Sequence, residues 1–353
     1  MVRSTNNPWL TRFAFLTAMA TLGLICIGGL VTSHNVGMSV PDWPTSYGYN
    51  MFFFPFSKWV GGIFYEHTHR LAASAVGFLT VALAVWLWLK EERRWLAWLG
   101  ILALFAVILQ GVLGGLRVRW MRDELGVFHA TLAQVFFVLV SAIAIFSSRR
   151  WQNAAAQDLP VYDCTRLRYL YAFATAMILL QLILGATMRH QHAGLSIPDF
   201  PLAYGTFWPA TDPDSITRYN QWRGEATALN AITAFQVQLQ MAHRAAAVAI
   251  LAMIGWAGLL TFRTLGRRSA LTKLALGWVA LVSSQAVLGM VTIWTNKSAD
   301  VATAHVALGA LSLLTGSMLV LIAARCLRPG TSLARAAASN PMGVATQQAK
   351  SPA

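Results

Sequence analysis

Pro41-Asp42-Trp43-Pro44-Thr45-Ser46-Tyr47-Gly48 returns downstream as Pro198-Asp199-Phe200-Pro201-Leu202-Ala203-Tyr204-Gly205, an offset of 157 residues. Three more landmarks follow each copy in the same order. His69-Arg70 returns as His243-Arg244 at an offset of 174, Gln110 with Val112-Leu113-Gly114 as Gln285 with Val287-Leu288-Gly289 at 175, and His129 as His305 at 176. Matched landmarks in one order indicate a tandem duplication. The step from 157 to 174 places about 17 extra residues in the loop that follows the second Pro-Asp-aromatic-Pro copy.

The landmarks are set among long apolar runs. The 353 residues are 56% hydrophobic and 11% charged, with a mean hydropathy of +0.53. Soluble domains carry about 25% charged residues, so the chain belongs to the membrane class. Runs able to span lie near 13–33, 66–89, 95–116, 126–146, 168–188, 238–262, 271–294 and 301–324, each close to the ~20 residues a bilayer requires. The first follows Arg3 and Arg12 as a signal peptide would, but no small-residue cleavage site follows it (Val31-Thr32-Ser33-His34), so it reads as an uncleaved anchor. Four spans per copy is an even number, which makes the copies parallel and relates them by an axis along the membrane normal. The expected fold is therefore an all-α membrane protein of eight transmembrane helices, in two tandem four-helix bundles related by a pseudo-two-fold. Its parts are an N-terminus at 1–12, a first half at 13–147, a linker at 148–167, a second half at 168–325 and a disordered tail at 326–353 rich in Ala, Ser, Pro and Gln.

The net charge of +14 does not indicate nucleic acid, because the basic residues cluster in short loops, where they set topology. With a cytoplasmic N-terminus, the inner segments hold 17 of the 27 Lys and Arg, including Arg93, Arg94, Arg149, Arg150, Arg267 and Arg268. Both termini are thus expected inside a bacterial inner membrane, with the two Pro-Asp-aromatic-Pro segments outside. Those segments read either as rigid turns carrying an interfacial aromatic or as lids over what the helices hold. Cys26, Cys164 and Cys326 lack disulfide or metal spacing.

Of eight histidines, four occupy equivalent places: His69, His129, His243 and His305, each near the outer start of an even-numbered span. Polar side chains in a membrane usually face the bundle interior. A lone histidine there is most simply an interhelical hydrogen-bonder. Two per half, on alternate helices and duplicated, suit the two axial ligands of a heme held in a four-helix bundle. Zinc or copper would require further ligands. Arg70 and Arg244, which follow ligand histidines, either pair with heme propionates or snorkel to headgroups. Gln110 and Gln285 read as interhelical hydrogen-bonders. His34, His190 and His192 fall in outer loops and read as solvated or interfacial. His67 points away from His69 around the helix, and its counterpart is Met241.

The copies differ at one telling place. Glu66 lies three residues before His69, on the same helix face, and its counterpart is Gln240. Glu66 either caps the helix start or serves one half as an acid, a base or a stabilising charge.

Glu66-His67-Thr68-His69-Arg70, Phe128-His129-Ala130, Ala242-His243-Arg244, Ala304-His305-Val306 and the Pro-Asp-Trp-Pro loop together resemble the heme A synthase family, from about Trp9 to about Arg325. The resemblance implies an oxidoreductase acting on a CH group. It converts heme O to heme A by two successive water-derived hydroxylations of a ring methyl, for cytochrome oxidase assembly. It implies a resident heme b on His243 and His305, a substrate heme on His69 and His129, and Glu66 as the catalytic carboxylate. Arg244 would then lie at the cofactor and Arg70 at the substrate propionates. Implied partners are heme O, the farnesyltransferase that makes it, an electron acceptor and the lipid bilayer, with a homo-oligomer left open. Many bacterial members carry a cysteine pair in the first outer loop. Here 34–65 contains none, which places the chain with the cysteine-free branch. Competing readings are a diheme b-type cytochrome taking electrons from quinol and a heme carrier without chemistry. The segment 189–237 reads equally as an entry gate or a partner site.

Overall fold

The computed structural model describes residues 7–153, 165–226 and 231–326. Its helices are α1 (Pro8–Ser33), α2 (Gly61–Lys90), α3 (Arg94–Trp120), α4 (Glu124–Ser147), α5 (Arg149–Asn153), α6 (Thr165–His190), α7 (Pro213–Ala226), α8 (Ala234–Leu265), α9 (Ala270–Trp294) and α10 (Ala299–Cys326). All but α5 and α7 are long and apolar enough to cross a membrane, which gives eight spans. The protein is an all-α, multi-pass membrane protein. Among the described residues, β structure is limited to two isolated bridges, Ser46–Tyr49 and Ala203–Thr206. The expected disordered tail lies outside the described residues except for Cys326, which ends α10; Cys164 and most of the linker also lie outside them.

Local chemistry sets the helix ends. Asn7 Oδ1 accepts from the Trp9 amide at 3.0 Å, and Pro8 occupies the first turn, where its missing N–H is not needed. Thr233 and Gln236 form a reciprocal capping box at the start of α8. Backbone hydrogen bonds that remain inside each helix are what allow it to sit in lipid.

In the first half α1 packs on α2, α2 on α3, α3 on α4 and α4 back on α1; α6, α8, α9 and α10 repeat this ring. Thus α2 and α4 stand at opposite corners of one bundle, and α8 and α10 at opposite corners of the other. The halves meet through α1 on α10, and α4 on α6 and α10. Leu83, Leu87, Leu96 and Ile143 seal the first bundle, and Tyr171, Ile254, Trp278 and Leu319 the second. The Trp278 indole N–H donates to the Ser312 carbonyl at 2.9 Å, so its one polar atom is satisfied inside the bundle. Lipid tails are as apolar as these side chains, so close packing rather than water exclusion supplies the association energy. Phe15, Phe78, Phe105, Val248 and Trp256 point outward, where lipid would cover them.

The structure shifts two expectations. α2 starts at Gly61 rather than near 66, and α8 at Ala234 rather than near 238. The polar run Tyr65-Glu66-His67-Thr68-His69 lowers local hydropathy without interrupting backbone hydrogen bonding. His69, His129, His243 and His305 sit about 7 to 14 Å along their helices, at 1.5 Å per residue. Most of the extra length of the second outer loop forms α7, fourteen residues long. It is held by stacking of Tyr204 on Tyr219 at 3.8 Å and by Asn220, which bonds both the amide and the carbonyl of Ile232.

Candidate functional site

Each of the four repeated histidines rests against a glycine of the preceding span. A Cβ built on Gly28 (α1) would stand 3.0 Å from His69 Cε1. The corresponding distance is 3.3 Å for Gly114 (α3) to His129, Gly185 (α6) to His243 and Gly289 (α9) to His305. Gly28 and Gly185 are separated by 157 residues and Gly114 and Gly289 by 175, so the cradles belong to the duplication. The opposite-corner placement of α2 and α4 brings His69 and His129 within electrostatic reach across the bundle, and α8 and α10 do the same for His243 and His305.

The rings are under-used as hydrogen-bonding groups. Nδ1 of His69, His129 and His243 is buried with no partner, whereas His305 Nδ1 donates to the Gln285 carbonyl at 3.1 Å. Buried polar atoms without partners are few in native proteins and call for an explanation. Neighbouring amides hold the backbone at these turns: Gln110 Nε2 donates to the His129 carbonyl at 3.0 Å and Gln181 Nε2 to the His243 carbonyl at 2.9 Å. Gln110 is the interhelical hydrogen-bonder expected; Gln285 acts through its backbone carbonyl instead. Gln181 has no counterpart in the first half, where the equivalent residue is Leu24.

The two Pro-Asp-aromatic-Pro segments are turns strapped to the histidine helices. Asp42 Oδ1 and Oδ2 accept from the amides of Tyr47 (2.7 Å) and Gly48 (2.9 Å), and Asp199 does the same for Tyr204 (2.8 Å) and Gly205 (3.1 Å). Tyr47 and Tyr204 each donate a hydroxyl hydrogen bond of 2.6 Å, to the carbonyls of Ser39 and Ser196. The straps themselves are Arg70 and Arg244. Arg70 donates to the carbonyls of Val40, Asp42 and Thr45 at 2.6 to 3.0 Å, and Arg244 to those of Ile197, Asp199 and Leu202 at 2.8 to 3.4 Å. The terminal nitrogens of both arginines hold loop carbonyls.

Glu66 and Gln240 share one structural task. Glu66 Oε2 accepts from the Val40 amide at 2.8 Å, and Gln240 Oε1 from the Ile197 amide at 2.7 Å. Glu66 Oε1 also forms a buried ion pair with Arg70 at 2.8 Å. His67 is a core residue, packed between Phe54 and Trp59 at 4.9 and 4.8 Å with its Nδ1 3.2 Å from Ser46 Oγ. Its counterpart Met241 fills the same kind of position beside Ile197 and Ala203.

A family profile described as COX15-CtaA, cytochrome oxidase assembly protein, matches residues 51–317. Proteins named heme A synthase are similar along most of the chain. The Lysinibacillus sphaericus (strain C3-41) protein is 26% identical over 325 residues, covering 90% of this chain and 95% of its own. The Geobacillus kaustophilus (strain HTA426) protein is 26% identical over 316 residues, covering 83% and 84%. The chain belongs to the heme A synthase family. The heme A synthase fold thus carries the sequence's histidine quartet in two matched, cradled pairs.

Several residues here were not legible in sequence. The four cradling glycines resemble ordinary helix glycines until their neighbours are seen. His190, read as a loop residue, is the buried last residue of α6, and its ring packs on Gly126 of α4, where a Cβ would approach Cε1 to 2.3 Å. Its Nδ1 stands 3.7 Å from Asp123 Oδ1, while the more exposed His192 stands 4.0 Å from Asp123 Oδ2. The Trp43 indole covers Gly115 of α3 in the same close manner. Arg117, near the end of α3, lies within electrostatic reach of both His69 and His129.

Proposed function

We propose that the protein converts heme O to heme A, hydroxylating one ring methyl twice with oxygen from water so that the hydrated aldehyde loses water to give a formyl group. The observation that carries this is the pair of opposite-corner histidines in each half, with a carboxylate beside one pair only. These buried imidazoles fit axial ligation, because among the described residues no protein group engages Nε2 of any of the four, which leaves that nitrogen for iron. His305 has the further feature of ligating histidines that the other ring nitrogen donates to a carbonyl, which fixes tautomer and orientation. His243 and His305 would hold heme b, and His69 and His129 would hold heme O. When bound, heme b supplies a one-electron redox centre across the α1–α10 and α4–α6 seam. Each hydroxylation releases an electron pair and two protons, so an electron acceptor is required.

Glu66 carries the chemistry-specific charge. Gln240 clamps its loop amide without a negative charge, and Arg244 clamps its loop without a carboxylate partner, so holding the loop does not require the Glu66 charge. That charge stabilises cationic character developing at the substrate methyl or accepts a proton released there. The strapped loops close the same end of the bundles and limit water around the reacting group. The concentration of Lys and Arg at the opposite end favours a cytoplasmic position for both termini and an outward-facing one for the heme sites.

Heme extracted from membranes that make heme O, with and without this protein, tests the reading. Heme A or its hydroxylated intermediate is expected only with the protein. Unchanged heme O together with two non-exchangeable b hemes on the purified protein would instead make it an electron-transfer cytochrome.

A further inference from the structure

Arg117 is a cation of the first bundle with unused donor capacity within electrostatic reach of His69 and His129. It lies three residues after Gly114, which cradles His129, in the last turn of α3. Its side chain is 15% exposed. Gly37 of the first loop lies over the guanidinium so closely that a Cβ there would stand 2.9 Å from its Nη1. Nη2 bonds Asp123 Oδ1 at 3.2 Å, and Nε is buried with no partner. Asp123 is 40% exposed and also faces His190 and His192, so it neutralises Arg117 only in part. A guanidinium offers five N–H donors in a fork matched to carboxylates. Arg70, the other arginine beside this site, has its terminal nitrogens on loop carbonyls and Glu66.

No arginine stands at the matching place in the second half, where the cation within reach of His305 is Arg189 of α6, whose Nη2 is occupied by the Gly29 carbonyl and the Ser33 hydroxyl. The repeat counterpart of Arg117 is Thr292, whose hydroxyl donates to the Leu288 carbonyl within its own helix. An arginine with a buried, unpartnered Nε at this position of one copy adds an anion-binding group that the other copy lacks at the same place. The porphyrin expected between His69 and His129 is itself a dianion through its two propionates.

We propose that Arg117 recognises a carboxylate of the porphyrin substrate in the first half, with Asp123 holding the guanidinium in position. This rests on the heme O reading above. It makes Arg117 a binding residue that separates an exchangeable substrate site from the second-half site.

The test is a difference-spectrum titration of the purified full-length protein with heme O and with heme O dimethyl ester, whose carboxylates are masked. The wild type is expected to bind the free acid about ten- to a hundredfold more tightly than the diester, the range of a charge-assisted hydrogen bond. R117Q is expected to lose that preference by weakening only the free acid, and R117K to recover part of it. Unchanged circular dichroism and a single elution peak establish that the variants are folded. Equal binding of acid and diester by the wild type, or equal weakening of both by R117Q, overturns the proposal while leaving the heme O reading intact. Wild-type protein showing no heme O spectrum that H129A abolishes overturns both.

Discussion

Glu66 and Gln240 occupy one position of the repeat, make the same bond to a loop amide and differ by a charge. That comparison separates structural from chemical roles at a single residue. Glu66→Gln also removes the anion from buried Arg70 but should keep the Val40 amide satisfied, as Gln240 does for Ile197 beside Arg244, so it should fold and lose less stability than Glu66→Ala. Glu66→Ala removes the acceptor from a buried amide and the anion from buried Arg70, and breaking such a pair costs about 3–5 kcal/mol. Both should reduce heme A formation by about a hundredfold or more, the usual scale for a lost acid, base or stabilising charge. Heme analysis beside thermal unfolding of the two variants checks this. Normal heme A yield from a folded Glu66→Gln protein would remove Glu66 from the chemistry.

The strapped loops are the elements that shape the histidine end of each bundle. They are hydrogen-bonded turns, each tied by an arginine to the helix that carries a histidine. Burial pushes the Asp42 carboxyl up, but hydrogen bonds from the Gly48 amide, the Thr45 hydroxyl and the Tyr47 amide outweigh it and hold the carboxyl below its ordinary range. A carboxyl lowered on folding contributes stability that is fully present above its unfolded value of about 3.9 and is lost as pH falls through the folded value. Amide exchange at Tyr47 and Gly48, corrected for intrinsic rates, should therefore stay constant from neutrality to about pH 5 and rise below about pH 4. In Asp42→Asn the exchange should be raised from neutrality to about pH 4 and show no further acid-dependent rise, converging with wild type below it. Exchange that shows no acid-dependent rise in the wild type would mean that another group holds the turn.

At the scale of the whole molecule, the two bundles are joined by small-residue contacts. Gly29 of α1 meets Thr303 of α10, with a Cβ distance of 3.0 Å, and Gly126 of α4 receives the His190 ring of α6. Arg189 of α6 reaches across to the Gly29 carbonyl and Ser33 hydroxyl of α1, both at 2.8 Å. Gly126→Ala would drive a methyl into an aromatic ring held between bundles, an overpacking that costs about 1–3 kcal/mol. Its unfolding temperature in detergent should fall below wild type, whereas Gly111→Ala, with nothing within 4 Å of its Cβ, should leave it unchanged or higher. Equal behaviour of the two variants would show that the seam can relax at no cost.

Span number, duplication, the histidine quartet and the Glu66–Gln240 difference were determined by the sequence alone. Lipid demands long apolar runs, and a tandem copy preserves residue identity at fixed offsets, so both leave a one-dimensional record. The destinations of Arg70, Arg244, His190 and Arg117 were decided only by the tertiary structure. A long polar side chain bonds whatever the neighbouring helix or loop brings within about 3 Å, and that neighbour is set by helix packing between residues far apart in the chain. The glycine cradles belong to the same class: a missing side chain acquires meaning only from the ring that fills its place.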